Sequence, residues 1–112
     1  MPLGEDMSVE WRMVERGRMA WIRGVAPHPL GDVQAQSRRI LERIGELLET
    51  AGYHKSRVLT AAVSLDDMTL LDAHNAAWES WVDPHSTPLR ICRPAKLERP
   101  GSLVQIEVTA AK

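Results

Sequence analysis

One stretch limits the possible folds of this chain more than any other, the amphipathic segment from Val33 to Ala51. Val33, Ile40, Leu41, Ile44, Leu47, Leu48 and Ala51 recur at helical spacing on one face, while Arg38, Arg39, Glu42, Arg43, Glu46 and Glu49 cover the other. Asp32 stands ahead of it as an N-cap, its carboxylate able to accept orphan backbone N–H groups, and Gly52 follows in the position where helices turn left-handed. A helix that is apolar on one side only must bury that side against another element. With 112 residues the chain can bury roughly two-thirds of its unfolded surface, enough for one core.

The partners for that helix read as strands. Trp11 to Arg16 and Met19 to Val25 are extended patterns separated by Gly17-Arg18, a hairpin turn, and Pro27 to Gly31 breaks the chain before the helix. From Arg57 to Leu65 the residues alternate: Leu59, Ala61, Val63 and Leu65 form an apolar face, with Val58, Thr60, Ala62 and Ser64 opposite. Asp66 and Asp67 offer a cap for a second helix to about Val82, with Met68, Leu71, Asn75, Trp78 and Val82 on its buried stripe. Leu89 to Arg93 is extended again, and Pro94 confines it to an edge or a strand end. In the last strand, Leu103 to Ala110, Val104, Ile106, Val108 and Ala110 point one way and Gln105, Glu107 and Thr109 the other. The order is ββαβαββ. It predicts an α+β domain, a single sheet with two helices on one face, over residues 11–112, behind a short leader at 1–10. Trp21, Val58, Thr60 and Ala62 on the uncovered face are unusual for a solvated surface, and a homo-oligomer is the simplest way to cover them.

Composition excludes several function classes. A net charge of -1 gives no electrostatic reason to expect a nucleic-acid or anionic-membrane partner. No stretch reaches the ~18 consecutive apolar residues of a membrane span. The acidic N-terminus is not a signal peptide, and the single cysteine, Cys92, forbids an intrachain disulfide, so a soluble cytoplasmic protein is expected. His28, His54, His74 and His85 show no metal-ligand spacing, and no phosphate-binding loop or nucleophile elbow is present; neither metal nor cofactor is expected. Arg12, Arg16, Arg18 and Arg23 read as the charged edge of a hairpin rather than an RNA surface.

Several segments are similar to one known family. Ala35-Gln36-Ser37-Arg38-Arg39-Ile40-Leu41 with Leu47 to Gly52, the corner Val63-Ser64-Leu65-Asp66-Asp67, Asn75-Ala76-Ala77-Trp78, Pro88-Leu89-Arg90-Ile91-Cys92 and the closing strand from Leu103 to Ala110 occur in the order seen in RidA (YjgF) proteins. The likeness runs from about Arg18 to Ala111. It implies a chorismate-mutase-like homotrimer with clefts between subunits that hydrolyse reactive 2-imino or enamino acids to 2-oxo acids and ammonia. It further implies that Arg90 binds the substrate carboxylate, that Glu107 orients water, and that backbone groups near Gly24 and Cys92 line the cleft. Other members carry the names endoribonuclease L-PSP and translation inhibitor.

The residue types suit that chemistry. A planar guanidinium grips a carboxylate through two parallel N–H bonds, and a carboxylate beside the substrate can orient water or relay a proton. Arg90 and Glu107 each sit opposite apolar neighbours, so both could line one cleft if their strands pair. Asn75, Trp78 and Trp81 read as structural, and Cys92 as a core thiol near the cleft, since no histidine suggests a dyad. The chain departs from the family by lacking a Gly-Pro-Tyr segment, by a longer loop from Pro94 to Ser102, and by Arg23 where a small hydroxyl residue is common. Arg23 could add a second positive charge to the substrate site or fill the cleft. An imine/enamine deaminase therefore ranks first, a non-catalytic trimer that binds or senses a small carboxylate second, and a ribonuclease third.

Overall fold

A computed structural model describes residues 9–26 and 31–112. Most of the proposed leader and the Pro27–Leu30 breaker lie outside the described residues. Strands β1 (Glu10–Arg16) and β2 (Met19–Val25) form a hairpin whose two-residue loop places Gly17 at φ 59°, the positive value that a tight hairpin asks of its first loop residue. Val9 is buried and Glu10 opens β1, so the last two residues of the segment read as a leader belong to the core and the sheet. Helix α1 (Val33–Thr50) begins where Ala35 N–H donates to Asp32 Oδ1 at 2.9 Å, and Gly52 follows it at φ 86°. Strand β3 (Val58–Leu65), helix α2 (Leu71–Trp81), and strands β4 (Leu89–Pro94) and β5 (Val104–Ala111) complete the chain.

The sheet runs β1-β2-β5-β3-β4, with β3 and β4 parallel and every other pair antiparallel. A parallel pair needs a crossover, and α2 supplies it. The predicted element order and single sheet are present, and the alternation of β5 holds: Val104, Ile106, Val108 and Ala110 are all fully buried. They pack with Ile22, Ile40, Leu41, Ile44, Leu48, Val63 and Leu65 in one core beneath the helices. Gly24 belongs to that contact. A Cβ there would lie 2.9 Å from Ile40 Cγ2, so glycine lets α1 approach β2 closely.

Three local readings need correction. A bulge between Val58 and Thr60 inserts one residue into the β3 ladder, which turns Val58 into the core and leaves Leu59 45% exposed on the other face. Simple alternation cannot register an extra residue. Asp67 caps a short 3-10 turn, Met68–Leu70, through Thr69 N–H at 2.8 Å, and α2 starts only at Leu71. That shift of start rotates the buried stripe to His74, Ala77 and Trp78, while Asn75 is half-buried and Met68 exposed. Asn75, read as a structural residue whose amide would bond the backbone, makes no such bond; its Oδ1 is buried without a partner among the described residues.

Candidate functional site

Strand register divides the named residues between the two faces of the sheet. On the helix side, Arg90 lies level with Ala61, and Cys92 with Val63, both facing the core layer along the edge strand β4. On the open side three rows cross the sheet. Val14, Trp21, Thr109, Thr60 and Leu89 form one; Arg12, Arg23, Glu107, Ala62 and Ile91 form the next; Glu10, Val25, Gln105, Ser64 and Arg93 form the third. Arg90 and Glu107 therefore do not share a cleft within one copy. Strand β3 lies between β4 and β5, and the two side chains leave opposite faces.

The Arg90 side is half-buried against α2. Its guanidinium carbon lies 5.1 Å from the centroid of the Trp78 ring, a stacked cation–π arrangement. Nη1 is buried with no hydrogen-bond partner, and Arg90 makes no ion pair among the described residues. Trp78 is thus both core packing and a platform, where the sequence suggested packing alone. One helical turn earlier His74 is fully buried, its Nδ1 hydrogen-bonded to Ser37 Oγ at 2.9 Å and its Nε2 without a partner. Burial, reinforced by the positive charge of Arg90, pushes the His74 pKa down to about 4, so the ring is neutral at ordinary pH. Burial raises the Cys92 thiol, with Arg90 pulling weakly the other way. A thiol held protonated is a poor nucleophile, in keeping with its reading as a core thiol.

The Arg23 and Glu107 side is open. Both are exposed and, with Arg12, Val14 and Trp21, line a hollow of about 200 Å³. Arg23 also borders a second hollow of about 410 Å³ toward the Ala95–Arg99 loop. Gly24 lies inside β2 with strands paired on both sides, and its Cα faces α1. Among the described residues no three His, Cys, Asp or Glu side chains come together as metal ligands.

A model of the family described as Endoribonuclease L-PSP matches residues 11–112. The chain belongs to that family. The RutC family protein YoaB of Escherichia coli strain K12 is 31% identical over 107 residues, covering 95% of this chain and 94% of its own. A member of the YjgF protein family from Neisseria meningitidis superposes with a TM-score of 0.82 at 28% identity, covering 95% of this chain and 96% of its own. RidA from an Antarctic Psychrobacter reaches a TM-score of 0.80 at 21% identity over 89% and 85% of the two chains, a likeness of fold.

Within this L-PSP family frame, sequence reasoning overlooked Ser37, Gln36 and His74. Gln36 ties the start of α1 to the last turn: its Nε2 donates to Gly101 O at 3.1 Å and its Oε1 accepts from Leu103 N–H at 2.9 Å. The signal was available, because positions 36 and 37 fall on the Val33–Ile40 stripe by helical spacing. For His74 the shifted start of α2 hid the stripe.

Proposed function

We propose that this chain is an imine/enamine deaminase that works in clefts between copies of itself, in a homotrimer. The observation that carries the reading is Arg90: a half-buried guanidinium over the Trp78 ring, with one nitrogen, Nη1, buried without a hydrogen-bond partner and no acid partner among the described residues. Burying such a group unpaired is costly, and a ligand carboxylate relieves the cost. Arg90 and Glu107 leave opposite faces with β3 between them, so a second copy is needed to bring both to one substrate. Leu59, Leu89 and Ile91, exposed at 45%, 77% and 54%, give the open face the apolar surface such an assembly would cover.

In that cleft Arg90 holds the carboxylate of a 2-imino acid; an enamine first tautomerises to the imine. Glu107 orients a water whose oxygen bonds to C2 while the C=N π pair moves to nitrogen, which takes a proton. Glu107 then relays the water's remaining proton, the C–N bond breaks, ammonia leaves and the 2-oxo acid forms. The net change is imine plus water to ketone plus ammonia, which needs no metal or redox partner. Cys92 packs beside the carboxylate anchor, and Gly24 sets the local position of β2 beneath Arg23. One free cysteine agrees with a cytoplasmic setting, and no described helix is long and apolar enough to cross a membrane.

Ammonia release from freshly generated 2-aminoacrylate tests the proposal. Wild-type protein should accelerate it, Arg90→Ala should not, and light scattering should report a trimer. A monomer, or equal rates with and without protein, sinks the deaminase reading. Arg23 standing in register beside Glu107 favours one rival, a non-catalytic carboxylate-binding trimer. That rival is recognised by ligand-dependent melting shifts without turnover. Ribonuclease activity ranks last; an RNA-cleavage assay in which Arg90→Ala matches wild type would separate it from this cleft.

A further inference from the structure

The loop after β4 builds a feature that the deaminase chemistry does not require. Ala95 N–H donates to Leu65 O at 2.9 Å, and the chain then crosses the end of the sheet until Arg99 ion-pairs with Glu10 on β1, the strand at the opposite edge. Together with Val25, Ser64 and Gln105 of the sheet, this strap lines a hollow of about 410 Å³. Its charged lining consists of Arg23, Lys96 and Arg99 against Glu10 and Glu98. Glu10 is taken up by Arg99, whose own pKa it raises. Arg23 and Lys96 have no ion-pair partner among the described residues, even though Glu107 lies beside Arg23 in the ladder. The hollow thus has surplus positive charge beside the neutral hydrogen-bonding side chains of Ser64 and Gln105, a composition suited to a small organic acid. Arg23 borders both this hollow and the neighbouring one that Glu107 lines.

We propose that the preferred substrates of the cleft are dicarboxylates: Arg90 of one copy takes the carboxylate next to the imine, and Arg23 with Lys96 of the other takes a second carboxylate beneath the strap. The inference rests on the cleft reading above. A charge-assisted bond to a guanidinium discriminates by roughly ten- to a hundred-fold against a ligand lacking the acid group.

Two measurements on the full chain test it. Calorimetry compares binding of 2-oxoglutarate with 2-oxobutyrate, and ammonia release compares 2-iminoglutarate with 2-iminobutyrate, each imine formed in place by an amino-acid oxidase. Wild type should favour the dicarboxylate by at least tenfold, and that ratio should fall about tenfold in Arg23→Ser and by less in Lys96→Ala. Both side chains lie at the surface of the hollow, so thermal melting should confirm that the variants fold. A wild-type ratio near one, or a ratio unmoved by both substitutions, overturns the inference. Dicarboxylate-selective binding without turnover of either imine overturns the deaminase reading and leaves the proposal standing only as a dicarboxylate-binding site, and failure both to bind either 2-oxo acid and to turn over either imine overturns both.

Discussion

The two faces of the sheet handle charge in opposite ways. On the helix side the guanidinium of Arg90, on the β4 edge, lies over Trp78, next to a histidine kept neutral by burial. On the open side Arg12, Arg23 and Glu107 stand in one cross-strand row, free to reorient. The contrast separates precision from adaptability. A side chain locked by packing can present one fixed geometry to a ligand, whereas an exposed one gains a defined geometry only when another molecule covers it.

Substitutions on the helix side should have the largest consequences. Trp78→Ala removes a buried aromatic and should lower unfolding stability by ~3–5 kcal/mol in denaturant titration. Trp78→Leu should restore most of that stability but not the guanidinium platform, so binding of a 2-oxo acid should stay weakened. Arg90→Ala should reduce imine hydrolysis by roughly a hundredfold or more while leaving the melting temperature nearly level, because it removes a half-buried side chain whose Nη1 has no hydrogen-bond partner. A fall in melting temperature would mean that Arg90 is structural and would break the contrast between the faces.

His74 supplies the pH dependence. Its pKa is lowered to about 4 from an ordinary value of 6.5, so on acidification the unfolded chain takes up the proton first. Stability is therefore complete above pH 6.5, is lost progressively as pH falls from 6.5 toward 4, and levels off below that, with roughly 2 kcal/mol gone by pH 5. Denaturant titrations of wild type and His74→Leu at pH 7 and pH 5 check this, since the variant should lose that part of the slope.

The open side should respond more weakly. Leu59→Ser should change the stability of an isolated copy by ~0.5 kcal/mol or less yet weaken self-association, whereas Val58→Ser, one residue away but inside, should cost ~2 kcal/mol or more. Equal effects would contradict the bulge. Glu10→Gln unlatches the strap and should lower stability only slightly, and less in high salt, because the pair it breaks is exposed.

Much of this was legible in the residues themselves. The helix from Val33, its Asp32 cap, the Gly17 turn and the alternation of β5 follow from backbone periods of 3.6 and 2 and from residues with special φ preferences. The edge position of β4 could be inferred from Pro94, and the opposition of Arg90 to Leu89 and Ile91 from the pleat alone.

What lay beyond the sequence was neighbourhood. That β3 intervenes between β4 and β5, sending Arg90 and Glu107 to opposite faces, was decided by a parallel crossover that no local pattern encodes. The bulge at Leu59, the late start of α2 and the burial of His74 against Ser37 came the same way. Period and capping are set by the few bonds around each residue. Strand order, register shifts and the pairing of distant polar groups are settled only when the whole chain closes its core, because those contacts join residues far apart along it.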